Sequence, residues 1–158
     1  MITDVFGLDL SLTSTGYSYG EETGVISFDA TGPERLWLIK REIESLINRH
    51  GVEAVILEGY SFASRSGQAF SIGELGGVIK LLLWQIGIPC VVVPPTCRAK
   101  FATGKGNASK LEVLSSISAR TGKIWENPGA DDKCDAWVLQ EMGLAHLGKQ
   151  RHNWPAQN

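Results

Sequence analysis

VFGLDL at residues 5–10 and AVILE at residues 54–58 are short apolar runs that each carry an acid at or beside the last position. Such runs, bounded by polar or glycine-containing turns, are typical of buried strands. Asp9 and Glu58 therefore stand at the ends of two predicted strands. Because α/β proteins build their sites where strands end, and because an unpaired buried carboxylate is unfavourable, these two acids mark a candidate site.

The segments around these runs predict a mixed sheet flanked by helices. Residues 16–20 and 24–28 are predicted to form two further strands, which a short glycine-containing link joins as a hairpin. The other predicted elements are helices at 33–50, 69–86, 110–120 (capped by Asn107 or Ser109) and 131–147, and a buried strand at 89–93. Three antiparallel strands followed by alternating helices and strands indicate an α/β fold with a five-stranded sheet, the last two strands parallel.

Length and composition fit one globular domain. The chain has 158 residues, of which 43% are hydrophobic, and we expect a domain at 1–148 followed by a polar, frayed tail at 149–158. The sequence shows neither a membrane-spanning run nor a signal peptide pattern, so we expect an intracellular, cytoplasmic protein. Three cysteines without a C-x-x-C pair argue against a disulfide framework and a structural zinc site.

Charge is segregated along the chain. The formal net charge is −2, which alone argues weakly against a nucleic acid partner. Residues 98–123, however, contain six basic residues and one acidic residue. Net charge is a poor guide when charge is distributed in this way, so a nucleic acid remains a candidate partner.

Two more acids are predicted to join the candidate site. Asp132 and Asp135 are three residues apart and share one face at the start of the last helix. Together with Asp9 and Glu58 they would form a carboxylate cluster, which needs a cation to relieve its repulsion; hard oxygen ligands favour Mg²⁺ or Mn²⁺. The alternatives are that Asp9 forms a turn, that Glu58 is a paired structural acid, and that Asp131 and Asp132 cap the helix.

Five collinear motifs resemble the RuvC family of Holliday junction resolvases, most closely its small phage-borne members. The motifs are GLDLS followed by TGY at residues 7–17, LEGYSF at 57–62, IGELGGV at 72–78, GKGNASK at 104–110 and DKCDA at 132–136. The resemblance extends over about residues 7–145. One departure is Leu10, where bacterial members usually have proline.

The resemblance implies a ribonuclease H-like fold and a homodimer that nicks opposing strands of four-way or branched DNA, leaving 5′-phosphate and 3′-hydroxyl ends. It implies two Mg²⁺ ions, replaceable by Mn²⁺, on Asp9, Glu58, Asp132 and Asp135, and no organic cofactor. Lys110 takes the position of a lysine near the scissile phosphate, the alternative being a solvated helix lysine. A phage-encoded member would act in the host cytoplasm.

Two further groups of residues are candidates for contacts with partners. Those for DNA are Tyr60, Phe62, Arg65, Arg98, Lys100, Lys105, Asn107 and Lys110, the basic ones for phosphates and the aromatic ones for stacking on bases. Those for the dimer are Ile72, Leu75, Gly76, Ile79 and Leu83, since the helix at 69–86 is apolar nearly all round. The alternatives are core positions for the aromatic residues and a wholly internal helix.

Three other functions remain open at this stage. A ribonuclease H acting on RNA–DNA hybrids shares the fold and the metal chemistry, and a junction-binding protein without catalysis would share the surface. GLDLSLTSTG at residues 7–16 also resembles the first phosphate loop of actin-like ATPases and sugar kinases. Those proteins need a second lobe and a second glycine-rich motif, for which this chain is too short.

Overall fold

The computed structural model describes residues 5–59 and 68–155, except for the side chains of residues 68, 69, 71 and 72. The elements are β1 Val5–Asp9, β2 Thr15–Tyr19, β3 Glu22–Ile26, α1 Gly32–His50, β4 Ala54–Glu58, α2 Gln68–Gln85, β5 Cys90–Val93, α3 Pro95–Thr103, α4 Lys110–Thr121 and α5 Ala130–His146. The predicted order of elements is confirmed, and α3 is an additional helix.

All five strands form one mixed sheet with the order β3-β2-β1-β4-β5. The first three strands are antiparallel, and β4 and β5 continue the sheet in parallel with β1, as predicted. Leu8 of β1 pairs with Leu57 of β4. The next position in each strand is an acid, so this register places Asp9 beside Glu58 at the same edge of the sheet.

Helices cover both faces of the sheet and so create two buried layers. On one face, Leu8 belongs to a buried cluster with Ile39 of α1 and Ile79 of α2. On the other face, Val5 packs in a cluster with Leu139 of α5. Helices α3 and α4 pack on α5 in a third cluster, so α5 is enclosed between them and the sheet.

Two glycines allow the backbone of α5 to contact the strands directly. A Cβ atom at Gly7 of β1 would overlap the carbonyl oxygen of Ala136, and one at Gly16 of β2 would overlap that of Asp132. Any other residue at these positions would push α5 away from the sheet. The close approach determines how near Asp135, on the same helix, lies to the strand ends.

The segment after β4 and α2 departs from the prediction in two ways. Helix α3 was missed because Pro94 and Pro95 were interpreted as a break, whereas Pro95 is the first residue of this helix, where a missing N–H is tolerated. Strand β5 was predicted to be buried but is an edge strand, with Val91 and Val92 about half exposed. Continuous apolar sequence therefore did not distinguish a central strand from an edge strand.

The predicted dimer residues of α2 are wrong for the four whose side chains are described. Leu75, Gly76, Ile79 and Leu83 are buried within the protomer itself, where α2 packs on the sheet and α1. The side chain of Ile72 lies outside the described residues. A helix that is apolar all round gives no periodic signal for which face turns inward, so the sequence left this choice open.

The opposite face of α2 is the one left exposed. Phe70, Leu81 and Trp84 have exposed fractions of 86%, 55% and 79%. They follow helical spacing along one stripe, and Gly77 on the same stripe has open space around it. Across the part of the chain that is described, no helix has both the length and the apolar character needed to cross a bilayer.

The predicted tail is part of the domain as far as it is described. The ring centroid of Trp154 lies 4.6 Å from that of Phe101 and 5.9 Å from that of Trp137. Arg151 forms an ion pair with Glu141, an acid of α5 that is fully buried. Residues 149–155 therefore pack against the helical layer, which corrects the expectation of a frayed tail; residues 156–158 lie outside the described residues.

Candidate active site

Three carboxylates meet where β1 and β4 end. Asp9, Glu58 and Asp135 each place a carboxylate oxygen within 4.8 Å of the other two. They come from β1, β4 and α5, elements that are far apart in sequence. The predicted convergence of acids is therefore observed for these three residues, and oxygen atoms at this separation can share one cation.

The fourth predicted acid, Asp132, lies one helical turn before Asp135 and next to this cluster. Its Oδ2 accepts a hydrogen bond from the Ser14 hydroxyl at 2.7 Å. Its charge is also among those that raise the pKa of Asp9. Asp132 is thus close enough to affect the cluster electrostatically, while its carboxylate is held by the turn after β1.

Arg98 lies inside the acid cluster. Its Nε donates to Glu58 Oε2 at 2.7 Å, and its Nη1 donates to Asp135 Oδ1 at 2.7 Å. The residue is only 9% exposed. Arg98 was predicted to contact DNA phosphates, and in this structure its guanidinium instead binds two acids of the cluster. Helix α3 begins directly after β5, at the sheet edge where the acids end their strands, and this places Arg98 beside them.

Burial and repulsion from neighbouring carboxylates disfavour the charged forms of Asp9 and Asp135. Burial raises the pKa of Asp9 well above its ordinary value, and the charges of Glu58 and Asp135 add to the rise. Burial also raises the pKa of Asp135 to about 7, with Arg98 opposing the shift and Glu58 reinforcing it. One guanidinium therefore does not fully offset the repulsion among the carboxylates, and additional positive charge would stabilise the cluster.

The chemistry of the donor atoms fits a hard divalent cation. The converging ligands are carboxylate oxygens, which Mg²⁺ and Mn²⁺ prefer. The nearby Cys134 offers no competing thiolate, because burial raises the pKa of its thiol and keeps it protonated. Asp9, Glu58 and Asp135 are the residues that would hold such an ion.

Lys110 lies at the rim of the site, at the start of α4. Its Nζ donates to Asp131 Oδ2 at 2.7 Å, and this hydrogen bond raises the pKa of the ammonium group. The start of α4 is fixed by a capping box between Ser109 and Glu112, which decides for Ser109 over Asn107 as the cap. Lys110 is two-thirds exposed and accessible to a ligand at the rim.

The other predicted DNA contacts fall into two groups. Lys105 and Asn107 are exposed in the link between α3 and α4, and the Lys105 Nζ lies 3.7 Å from a carboxylate oxygen of Glu112. Lys100 is half-buried on α3. The remaining candidates, which lie outside the described residues, are Tyr60, Phe62 and Arg65.

Sequence reasoning missed two contacts of the site. Ser14, which holds Asp132, was treated only as part of a polar turn. The pairing of Asp131 with Lys110 was also missed, although both residues had been noted separately. The position of Ser14 could have indicated its contact, because it lies in the link between β1 and β2, beside the end of β1. No local pattern in the sequence links Asp131 to Lys110, which lies 21 residues earlier.

Comparison with known proteins agrees with this geometry. The family model described as crossover junction endodeoxyribonuclease RuvC matches residues 5–140. A relative of that name from Desulfitobacterium hafniense is 32% identical over 107 residues, covering 68% of this chain but only 64% of the relative. Another from Treponema denticola is 28% identical over 166 residues, covering 93% of this chain and 89% of the relative.

The solved structure of T. thermophilus RuvC in complex with Holliday junction substrate superposes with a TM-score of 0.76 at 22% identity. It covers 96% of this chain and 100% of that one, which confirms the ribonuclease H-like fold that the sequence motifs implied. Since the family model also covers most of the chain, the protein belongs to the crossover junction endodeoxyribonuclease RuvC family.

Proposed function

We propose that this chain is a divalent-metal-dependent DNA endonuclease that cuts four-way junctions. The observation that carries the proposal is the meeting of Asp9, Glu58 and Asp135, three carboxylates from three elements within 4.8 Å. Membership of the RuvC family supports both the nuclease activity and its dependence on a divalent metal. The junction as substrate is supported by the T. thermophilus relative, which was solved with Holliday junction substrate.

We further propose that the site takes two Mg²⁺ ions, which Mn²⁺ can replace, with Asp132 as a fourth ligand. Such ions, when bound, activate a water molecule and stabilise the oxygen that leaves the phosphorus. Ser14 holds the Asp132 carboxylate in one orientation, so this acid is already positioned toward the cluster side of α5. Preorganised ligands reduce the rearrangement that binding requires.

The proposed reaction is hydrolysis of one phosphodiester bond in each opposing strand. The attacking water gives up a proton as its oxygen forms a bond to phosphorus, the bond between phosphorus and the 3′ oxygen breaks, and the 3′ oxygen takes up a proton. The products are a 5′-phosphate and a 3′-hydroxyl. Lys110, held at the rim by Asp131, would stabilise the negative charge that develops on the phosphoryl oxygens.

A cleavage assay with the Asp9→Asn variant tests this function. We expect the wild type to cut a mobile four-way junction, and the variant to bind the junction but cut about 10³-fold more slowly, because a metal-binding oxygen is lost. Glu44→Gln, which removes a carboxylate on α1 outside the site, is the control and should cut normally.

The choice of substrates separates the alternatives. The assay should compare the junction with a flap, a linear duplex and an RNA–DNA hybrid, and it should map products to the nucleotide. Faster cleavage of the hybrid would identify a ribonuclease H. Junction binding without cleavage by the wild type, with Mg²⁺ or Mn²⁺ present, would identify a binding protein and contradict the proposal.

A homodimer is the second part of the proposal, and the exposed stripe of α2 is its proposed interface. Phe70, Leu81 and Trp84 expose large apolar side chains on one side of the helix. Contiguous exposed apolar surface of this kind marks interaction sites. A two-fold contact between identical stripes would give two active sites, as two opposing cuts in a junction require.

Sedimentation of the Trp84→Glu variant tests the dimer. We expect the wild type to sediment as a dimer and the variant as a monomer, because the new carboxylate would be buried without a partner. Trp37→Glu is the control, since Trp37 is an exposed tryptophan on α1 and should tolerate the charge. A dimeric Trp84→Glu variant would exclude this interface, and a monomeric wild type at micromolar concentration would exclude the dimer.

A further inference from the structure

Arg98 binds two acids of the cluster at the position where a metal ion would be expected to bind them. Its guanidinium spans Glu58 and Asp135 through two bonds of 2.7 Å, and its Nη2 lies 3.4 Å from Glu58 Oε1. The arginine side chain is 11% exposed, and those of the two acids are 13% and 5% exposed. This is a nearly buried ion triad and not a surface salt bridge.

The same carboxylates are the ones that converge to hold a metal. Glu58 and Asp135 provide two of the three oxygen donors of the cluster, and Asp9 provides the third. Arg98 binds two of these three donors, Glu58 and Asp135, at 2.7 Å. A guanidinium and a divalent cation would therefore compete for overlapping ligands.

We infer that Arg98 is an internal counter-cation of the active site, which binds Glu58 and Asp135 in the absence of metal and releases them when they take a divalent ion. The inference rests on the proposed metal-dependent function and adds a residue that sets metal affinity. Arg98 would act indirectly, by holding Glu58 and Asp135, and it is therefore a positioning residue.

Two consequences follow from this competition. Without metal, Arg98 keeps the buried acids from repelling one another, so removing it should destabilise the protein. With metal, release of Arg98 opposes binding, so removing it should tighten the metal complex. A residue with a purely structural role would produce the first effect without the second.

Calorimetric titration with Mn²⁺ and thermal melting of the Arg98→Met variant test the inference. We expect the variant to bind Mn²⁺ about tenfold more tightly than the wild type, which corresponds to about 1.4 kcal/mol of lost competition from the guanidinium. We also expect a lower melting temperature in a chelator, with the difference disappearing when Mn²⁺ saturates the site. Methionine retains much of the side-chain length without the charge.

Arg49→Met is the matched control. Arg49 donates to Glu22 at 3.1 Å on the surface, so this variant also removes one arginine–carboxylate pair and one unit of positive charge, but outside the site. Its Mn²⁺ affinity should equal that of the wild type. An equal increase in Mn²⁺ affinity in both variants would show that the effect comes from net charge, and it would overturn the role of Arg98.

A measurement on the wild type remains decisive if Arg98→Met fails to fold. The Nε–H resonance of Arg98, assigned by its absence from Arg98→Lys, should shift when Mg²⁺ is added, because the hydrogen bond to Glu58 is lost. A resonance that does not move at saturating Mg²⁺ would overturn the inference.

These outcomes are distinguishable from failure of the proposed function. If the wild type and Asp9→Asn bind Mn²⁺ equally, the acid cluster is not the metal site and the proposed function fails. If Asp9→Asn loses Mn²⁺ binding while Arg98→Met binds it no more tightly than the wild type, only the inference about Arg98 fails.

Discussion

Among the described residues, two largely buried arginines, Arg98 and Arg151, bind carboxylates, and they differ in the balance of charge around them. Arg98 faces Glu58 and Asp135, with Asp9 within reach of both acids. Three carboxylates therefore share one guanidinium. The pKa of Asp9 remains raised by burial and by its neighbours, which indicates that the charge is not balanced.

The ion pairs around Arg151 are balanced. Arg151 binds the fully buried Glu141 of α5 and also Glu21, at 2.9 Å. Glu21 is shared with Lys123, whose Nζ lies 2.7 Å away, so two acids face two bases. A buried ion pair with balanced charge is typical of structural networks, whereas a buried excess of one charge favours a functional site.

Arg151→Met should have the largest effect on stability, and it tests the contrast directly. We expect the free energy of unfolding to fall by about 3–5 kcal/mol, because Glu141 would remain buried without its partner. Urea denaturation measures the change. Unlike the loss in Arg98→Met, this loss should persist at saturating Mg²⁺; recovery with Mg²⁺ would remove the distinction between the two regions.

Gly7→Ala should have an intermediate effect on stability, because the added methyl group pushes α5 away from β1. The new Cβ would overlap the backbone carbonyl of Ala136, and we expect a loss of about 1–3 kcal/mol in unfolding free energy. Since Asp135 lies on the displaced helix, divalent metal affinity measured by calorimetry should also fall.

Gly143→Ala is the control for that variant. It also adds a methyl group between α5 and the sheet, but against the side chains of Val5 and Ile56, at 2.6 and 2.8 Å, away from the acids. It should reduce stability and leave metal affinity unchanged. Equal loss of metal affinity in both variants would show that the acid cluster is insensitive to the approach of α5 at Gly7.

Ser14→Ala should have the smallest effect of these variants, and the effect should be on metal affinity. Loss of the hydrogen bond to Asp132 should reduce divalent metal affinity about tenfold, as is typical when a residue that orients a ligand is removed. Ser27→Ala removes a comparable hydroxyl bond, to the Thr13 carbonyl oxygen, and is the control for calorimetry. Unchanged affinity in Ser14→Ala would place Asp132 outside the metal ligands.

Much of the fold could be predicted because its signals are local. Apolar runs identified β1 and β4, glycine-containing links identified the hairpin, and helical spacing identified α1. The acids at strand ends were also predictable, because parallel neighbours bring their carboxyl ends to one edge. Helix α3 was missed because its nine residues show little apolar periodicity and begin with proline.

The residue that departs most from expectation is Arg98. Its place in the sequence, within a basic segment, indicated a phosphate contact. Its actual partners, Glu58 and Asp135, are 40 and 37 residues away and on different elements. Similarly, the buried face of α2 was open from the sequence, since apolar residues occur on every side of that helix.

By itself, the sequence determined the order of elements, the mixed sheet and the acids that end its strands, because hydrophobic patterns and turn residues act over a few neighbouring positions. Only the tertiary structure decided which face of α2 is exposed, how closely α5 approaches β1, and that Arg98 binds the acids. These features depend on packing and charge between segments distant in the chain, and no local pattern specifies them.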